Sequence, residues 1–148
     1  MTDLFNKHVK NIQEKIPINK AVLLLNHYHT GMLAAISTWE NGHLHDGLSI
    51  KLPSESSLFE KVISTGKNYQ SNNCLEFEGN FFEKKLLLNE QSSSFLLQPL
   101  TVNDQVVALI GYSFCKSDIF DDKNIINKFE ISQKFSSQIE SLLETITV

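Results

Sequence analysis

Leu58-Phe59-Glu60-Lys61-Val62-Ile63-Ser64-Thr65-Gly66-Lys67-Asn68-Tyr69 passes from one kind of regular structure to another within a single short stretch. Leu58, Phe59, Val62 and Ile63 recur at the spacing of one helical face. Ser57 stands just before them and Glu60 follows three residues later, the pattern of a capping box that predicts where the helix begins. Gly66 predicts where it ends, because a residue without Cβ enters the left-handed turn of a helix C-terminus at little cost. Lys67 to Ser71 then reads as a short strand. Helix, glycine corner and strand in that order predict a domain in which helices pack on a sheet.

Upstream, Phe5, His8, Val9, Ile12 and Ile16 follow a helical rhythm, with Thr2 or Asp3 as cap and Pro17 as stop. Ala21-Val22-Leu23-Leu24-Leu25 is wholly apolar, as expected of a strand covered on both faces. A His- and Gly-rich turn from His27 to Gly31 leads to a second strand, Met32 to Trp39. Asn41-Gly42 predicts a tight hairpin into a third strand, His43 to Leu52, that ends at Pro53. Downstream, Asn72 to Gln91 is irregular, with a short helix expected from Asn80 to Leu88. Ser94 to Val102 and Gln105 to Cys115 form a second hairpin across Asn103-Asp104. Ile125, Phe129, Ser132, Phe135, Ile139, Leu142 and Ile146 lie on one stripe of a long final helix. The expected fold class is α/β (α+β). About six mostly antiparallel strands form its sheet, with the N- and C-terminal helices on one face and a mobile helical cover on the other.

Composition narrows the function. A chain of 148 residues, 41% apolar and 20% charged, suits one globular domain spanning 1–148. A formal charge of −4 without a dense Lys/Arg cluster argues against nucleic acid or an anionic membrane as partner. The N-terminus lacks a signal-peptide pattern, and the longest apolar run, Val106 to Gly111, is too short to span a bilayer. A soluble, cytoplasmic protein is expected. Cys74 and Cys115 show no CxxC spacing, so neither a zinc ribbon nor a disulfide-stapled domain is expected.

The chain resembles a GAF domain. The residues that carry the resemblance are Leu58 to Tyr69, with its Thr65-Gly66 corner, and Ser93-Ser94-Phe95-Leu96-Leu97-Gln98-Pro99-Leu100. They are joined by Val106-Val107-Ala108-Leu109-Ile110-Gly111 and by Phe120-Asp121-Asp122 at the start of the last helix. The patterns span nearly the whole chain and mark the fold better than the activity, with the PAS fold as structural runner-up.

Specific GAF chemistries can be tested against these residues. Cyclic-nucleotide-binding members carry an Asn-Lys pair, a Phe and an acidic pair; Lys116 and Phe120 match, but Cys115 and Asn124-Ile125 stand where the Asn and both acids are needed. Members that reduce free methionine sulfoxide use several mid-chain cysteines, whereas only Cys74 lies in that region and Ser57 takes one Cys position. Bilin attachment through a Cys-His pair is not matched by Cys74-Leu75. His27-x-His29 and His43-x-His45 each pair imidazoles on one strand face, but they flank opposite ends of one strand, roughly 25 Å apart at about 3.3 Å per residue. They therefore read as polar turn residues, and no catalytic residue, cofactor or metal is assigned.

The expected site is a small-molecule pocket between the sheet and the Asn72–Gln91 segment. Tyr69, Phe77, Phe81 and Phe82 would come from the cover side. The strands would add Ile36, Trp39, Phe95, Leu97, Gln98 and Tyr112, aromatic walls with a few polar points. The alternative is that Phe81 and Phe82 fill the core. GAF-like pairing of terminal helices implies a homodimer through Phe5, Val9, Ile12, Phe135, Ile139 and Leu142. The expected function is non-enzymatic sensing of an unknown small molecule, with output through a separate signalling protein. Alternatives are an interaction module with a collapsed pocket and, more weakly, a thiol-dependent redox enzyme.

Overall fold

The computed structural model describes residues 2–14, 16–27, 32–51, 57–117 and 119–121. Helix α1 (Thr2–Gln13) leads into strands β1 (Ile18–His27), β2 (Met32–Glu40) and β3 (His43–Lys51). Helix α2 (Leu58–Thr65), strand β4 (Tyr69–Ser71) and helix α3 (Phe81–Leu87) follow, then β5 (Ser94–Val102) and β6 (Gln105–Phe114). Short 3-10 turns occupy Cys74–Glu76 and Ile119–Asp121. The expected long final helix, with its stripe from Ile125 to Ile146, lies outside the described residues.

The six strands form one sheet in the order β3-β2-β1-β6-β5-β4, and every neighbouring pair is antiparallel. Local hairpins supply part of this order. Asn41 (φ 49°) and Gly42 (φ 89°) turn β2 into β3, and Asn103 (φ 52°) and Asp104 (φ 64°) turn β5 into β6. Those positive angles match the twist of the flanking strands, which is why Asn-Gly and Asn-Asp suit them. The central β1–β6 pair instead joins opposite ends of the chain: Ala21 lies opposite Tyr112 and Leu24 opposite Leu109.

Strand β1 is apolar throughout its middle because both of its faces are covered. Ala21 and Leu23 belong to one core cluster with Phe5, Val9 and Ile12 of α1, whereas Val22 and Leu24 belong to another with Leu58, Phe59 and Val62 of α2 and Leu87 of α3. The terminal-helix face and the cover face are thus distinct, with α2 on the cover side. Gly66 adopts the left-handed conformation (φ 66°) and its N–H donates to the Val62 carbonyl at 2.9 Å, ending α2 where expected.

Two sequence expectations need correction. Ser57 does cap α2, accepting from the Glu60 N–H at 3.1 Å, but the carboxylate that answers it belongs to Glu83 of α3. The α1 stripe of Phe5, Val9 and Ile12 is buried within this one chain, so it offers no seam to a second subunit. The outward face of α1, with Asp3, Lys7, Lys10 and Glu14 exposed, is polar. The other seam residues, Phe135, Ile139 and Leu142, lie outside the described residues.

Candidate functional site

The segment from Asn72 to Gln91 covers one sheet face, and polar contacts clamp it at two places. Glu83 forms the first clamp. Asn80 begins α3 as its cap, and Glu83 three residues on accepts the Asn80 N–H at 3.0 Å. The same carboxylate reaches α2: it accepts from Ser57 Oγ at 2.5 Å, the Leu58 N–H at 2.8 Å and the Phe59 N–H at 2.9 Å. A fully buried carboxylate is tolerable here because four donors satisfy it and both helix N-termini favour negative charge.

Asn89 and Ser92 form the second clamp. Asn19 of β1 is buried and donates through Nδ2 to Asn89 Oδ1 at 2.5 Å and to Ser92 Oγ at 3.0 Å. Ser113 of β6, also buried, donates to Asn19 Oδ1 at 2.9 Å. Asn89 Nδ2 donates to Glu40 Oε2 at 3.0 Å, and Lys20 Nζ donates to the Lys85 carbonyl at 2.7 Å near the end of α3. Burial lowers the Lys20 pKa, and the nearby Glu40 carboxylate, 3.9 Å away, opposes that shift. Sequence reading missed Glu83, Asn19 and Ser113. The Asn80-x-x-Glu83 spacing is a legible cap signature, but nothing local announces that Asn19 and Ser113 meet.

Between the clamps the cover packs tightly on the sheet. Leu87 is fully buried and rests on Gly111, where a Cβ would stand 2.5 Å from Leu87 Cδ1. Cys74 and Leu88 are buried in the same cluster, and Phe77 packs at its margin. The Phe77 and Phe95 rings lie 5.4 Å apart, and Tyr69 stacks on Phe95 at 5.8 Å. Burial and the neighbouring Glu78 raise the Tyr69 pKa.

Four of the expected pocket residues therefore do meet on the cover face: Tyr69, Phe77, Phe95 and Leu97. Trp39 and Tyr112 do not join them, because strand alternation sends both to the α1 face, where each lies opposite Ala21. Gln98, half-buried, lies between Leu96 and Leu100 in sequence and opposite Ile110, all three of which belong to the α1-side core. Ile36 is skipped in the register at a bulge, since Leu23 pairs with Ser37 and Leu24 with Ala35; its side chain lies outside the description. Phe81 and Phe82 do not fill the core. They are 68% and 53% exposed, packed edge to face at 5.9 Å, with Lys85 Nζ 5.6 Å from the Phe81 ring centre.

On the opposite face, His8 Nε2 and the Tyr112 hydroxyl are 2.7 Å apart, a buried pair joining α1 to β6. Burial pushes the His8 pKa down to about 3 and raises that of Tyr112. Trp39 Nε1 is buried there and finds no acceptor among the described residues. Cys74 is buried, with its thiol pushed up to about 11 by desolvation, while Cys115 is exposed; both are free. Two open grooves lie among the described residues, neither lined by Leu87. One of about 480 Å³ runs past Asn72–Leu75 and Ser92–Ser93, and one of about 370 Å³ lies between the end of α2 and the β5–β6 turn. No helix among the described residues is long and apolar enough to cross a membrane.

The fold as a whole matches solved structures. The chain is similar to the GAF domain of a two-component sensor histidine kinase from Bacillus halodurans, with a TM-score of 0.75 at 15% identity over 98% of this chain and 94% of that one. The chain has a GAF fold. A GAF domain is also found in the blue-light-absorbing form of Thermosynechococcus elongatus PixJ (TM-score 0.67, 11% identity, 99% of this chain, 88% of that one). The chain is also similar to a type II free methionine-R-sulfoxide reductase from Thermoplasma acidophilum (TM-score 0.67, 12% identity, 95% of this chain and 92% of that one). No family model matches the sequence, and no curated protein sequence matches it.

Proposed function

We propose that this GAF-fold chain is a non-enzymatic regulatory domain of the sensory kind, in which the Asn72–Gln91 cover is the element that responds. The observation that carries this reading is the form of the cover. It is held by two polar clamps, packs Leu87 against Gly111, and turns Leu75, Phe81 and Phe82 outward. A small molecule with an apolar body that took the place of Leu87 among Phe77, Phe95 and Leu97 would have to shift α3. That shift would move the exposed aromatics that a separate signalling protein can read. The sensory neighbours support the general role, and the raised Cys74 pKa disfavours a thiol-based reaction at that residue.

A second reading is favoured by the Leu87 contact itself: the space is filled by the protein, and the domain serves as an interaction module through its outward aromatics. The two readings separate in a thermal-shift screen with amino acids, nucleotides and tetrapyrroles, followed by hydrogen exchange on the cover. Sensing requires a compound that raises the midpoint and changes exchange across residues 72–91. A stabilising compound that leaves exchange there untouched counts against the cover as the responsive element.

A further inference from the structure

Strand β3 is an outer strand of the sheet, so among the described residues no strand pairs its far side. An outer strand presents a row of backbone donors and acceptors to any second strand that reaches it. Leu44 packs on the α1-side core, and the residues on either side of it, His43 and His45, are exposed. Because side chains alternate along a strand, both imidazoles project from the face opposite Leu44, with Cα atoms about 6.6 Å apart. Two imidazoles so placed can close on one metal ion.

They cannot complete a site alone. Across the β2–β3 hairpin, His43 lies opposite Glu40 and His45 opposite Thr38. The Glu40 carboxylate already accepts from Asn89 and lies 3.9 Å from Lys20 Nζ. Among the described residues no three His, Cys, Asp or Glu side chains converge on a point. No described side chain of the protomer completes a four-coordinate set, and a two-fold axis beside an open strand edge supplies the same pair again. We infer that His43 and His45 are half of a transition-metal site, and that two copies of this chain meet along β3 to hold one Zn²⁺ through four imidazoles. Neutral imidazole nitrogens in a tetrahedral set suit Zn²⁺, whereas Mg²⁺ and Ca²⁺ take oxygen ligands.

Sedimentation velocity of the full chain with increasing ZnCl₂ near neutral pH tests this. The expected result is a doubling of mass at one Zn²⁺ per two chains, reversed by EDTA and unaffected by Mg²⁺. His43→Gln and His45→Gln should each abolish it while leaving the circular dichroism unchanged, and His27→Gln should retain it. Binding of one Zn²⁺ per chain without a mass change overturns the shared site. So does doubling that survives the His43→Gln/His45→Gln double variant, or no response to Zn²⁺ at all.

Discussion

Glu83 shows how one side chain can set the position of a whole segment. Its carboxylate gathers the first N–H groups of two helices, which have no partner within their own helix, so removing its charge unbalances both ends at once. Glu83→Gln replaces one accepting oxygen with a donor facing donors. It should lower stability by about 2–4 kcal/mol, measured as a shift of the urea midpoint; a loss near zero would mean the clamp is dispensable. The cysteines make a contrasting pair. Under native conditions Cys115 should react readily with an aromatic disulfide, while Cys74, buried and with its thiol raised to about 11, should react only after unfolding. Equal rates at the two positions would contradict the burial of Cys74.

Helix α3 separates an inward from an outward role at the scale of an element. Leu87→Ala should cost about 3 kcal/mol, because its partners on the sheet cannot fully collapse into the space left against Gly111. Phe81→Ser and Phe82→Ser should change stability by no more than about 0.5 kcal/mol each, since both rings are largely in water. Chemical denaturation of the three variants checks the division. A large loss at Phe81 together with a small one at Leu87 would place the helix the other way round. Helix α3 was legible in outline, as its start follows from the Asn80-x-x-Glu83 cap, yet its orientation was not. Phe81, Phe82, Leu86, Leu87 and Leu88 are all apolar, so hydrophobicity alone cannot say which of them face the sheet. The clamp at Glu83 decides it, and that contact joins residues more than twenty positions apart.

For the molecule as a whole, the buried His8–Tyr112 pair predicts how stability depends on pH. The folded-state pKa of His8, about 3, lies below the ordinary 6.5, so the unfolded chain binds the proton more readily. Stability contributed by the neutral imidazole is complete above pH 6.5 and is lost as pH falls toward 3, at about 1.4 kcal/mol per unit. Between pH 6.5 and 5 the folded state should lose about 2 kcal/mol, and His8→Gln should remove most of that slope. Urea titrations at the two pH values would show it, and an unchanged slope in the variant would assign the acid sensitivity to other groups. The same pair binds α1 to the sheet, which is why Phe5, Val9 and Ile12 serve the core of one protomer rather than a dimer seam.

Local chemistry determined the elements of this protein. Asn41-Gly42, Asn103-Asp104, Gly66, Ser57 and the alternation of apolar residues each act over a few positions, and the described strands and helices lie close to where those signals put them. Which face each strand residue takes was decided by the tertiary structure, because register depends on pairing between distant strands and on the bulge that skips Ile36. That is why Tyr69, Phe77, Phe95 and Leu97 share a face while Trp39, Gln98 and Tyr112 lie across the sheet from them. The Leu58–Tyr69 stretch carries both lessons. Its helix, corner and strand are written in sequence, but the carboxylate that completes its cap arrives from α3, through a contact that exists only once the chain has folded.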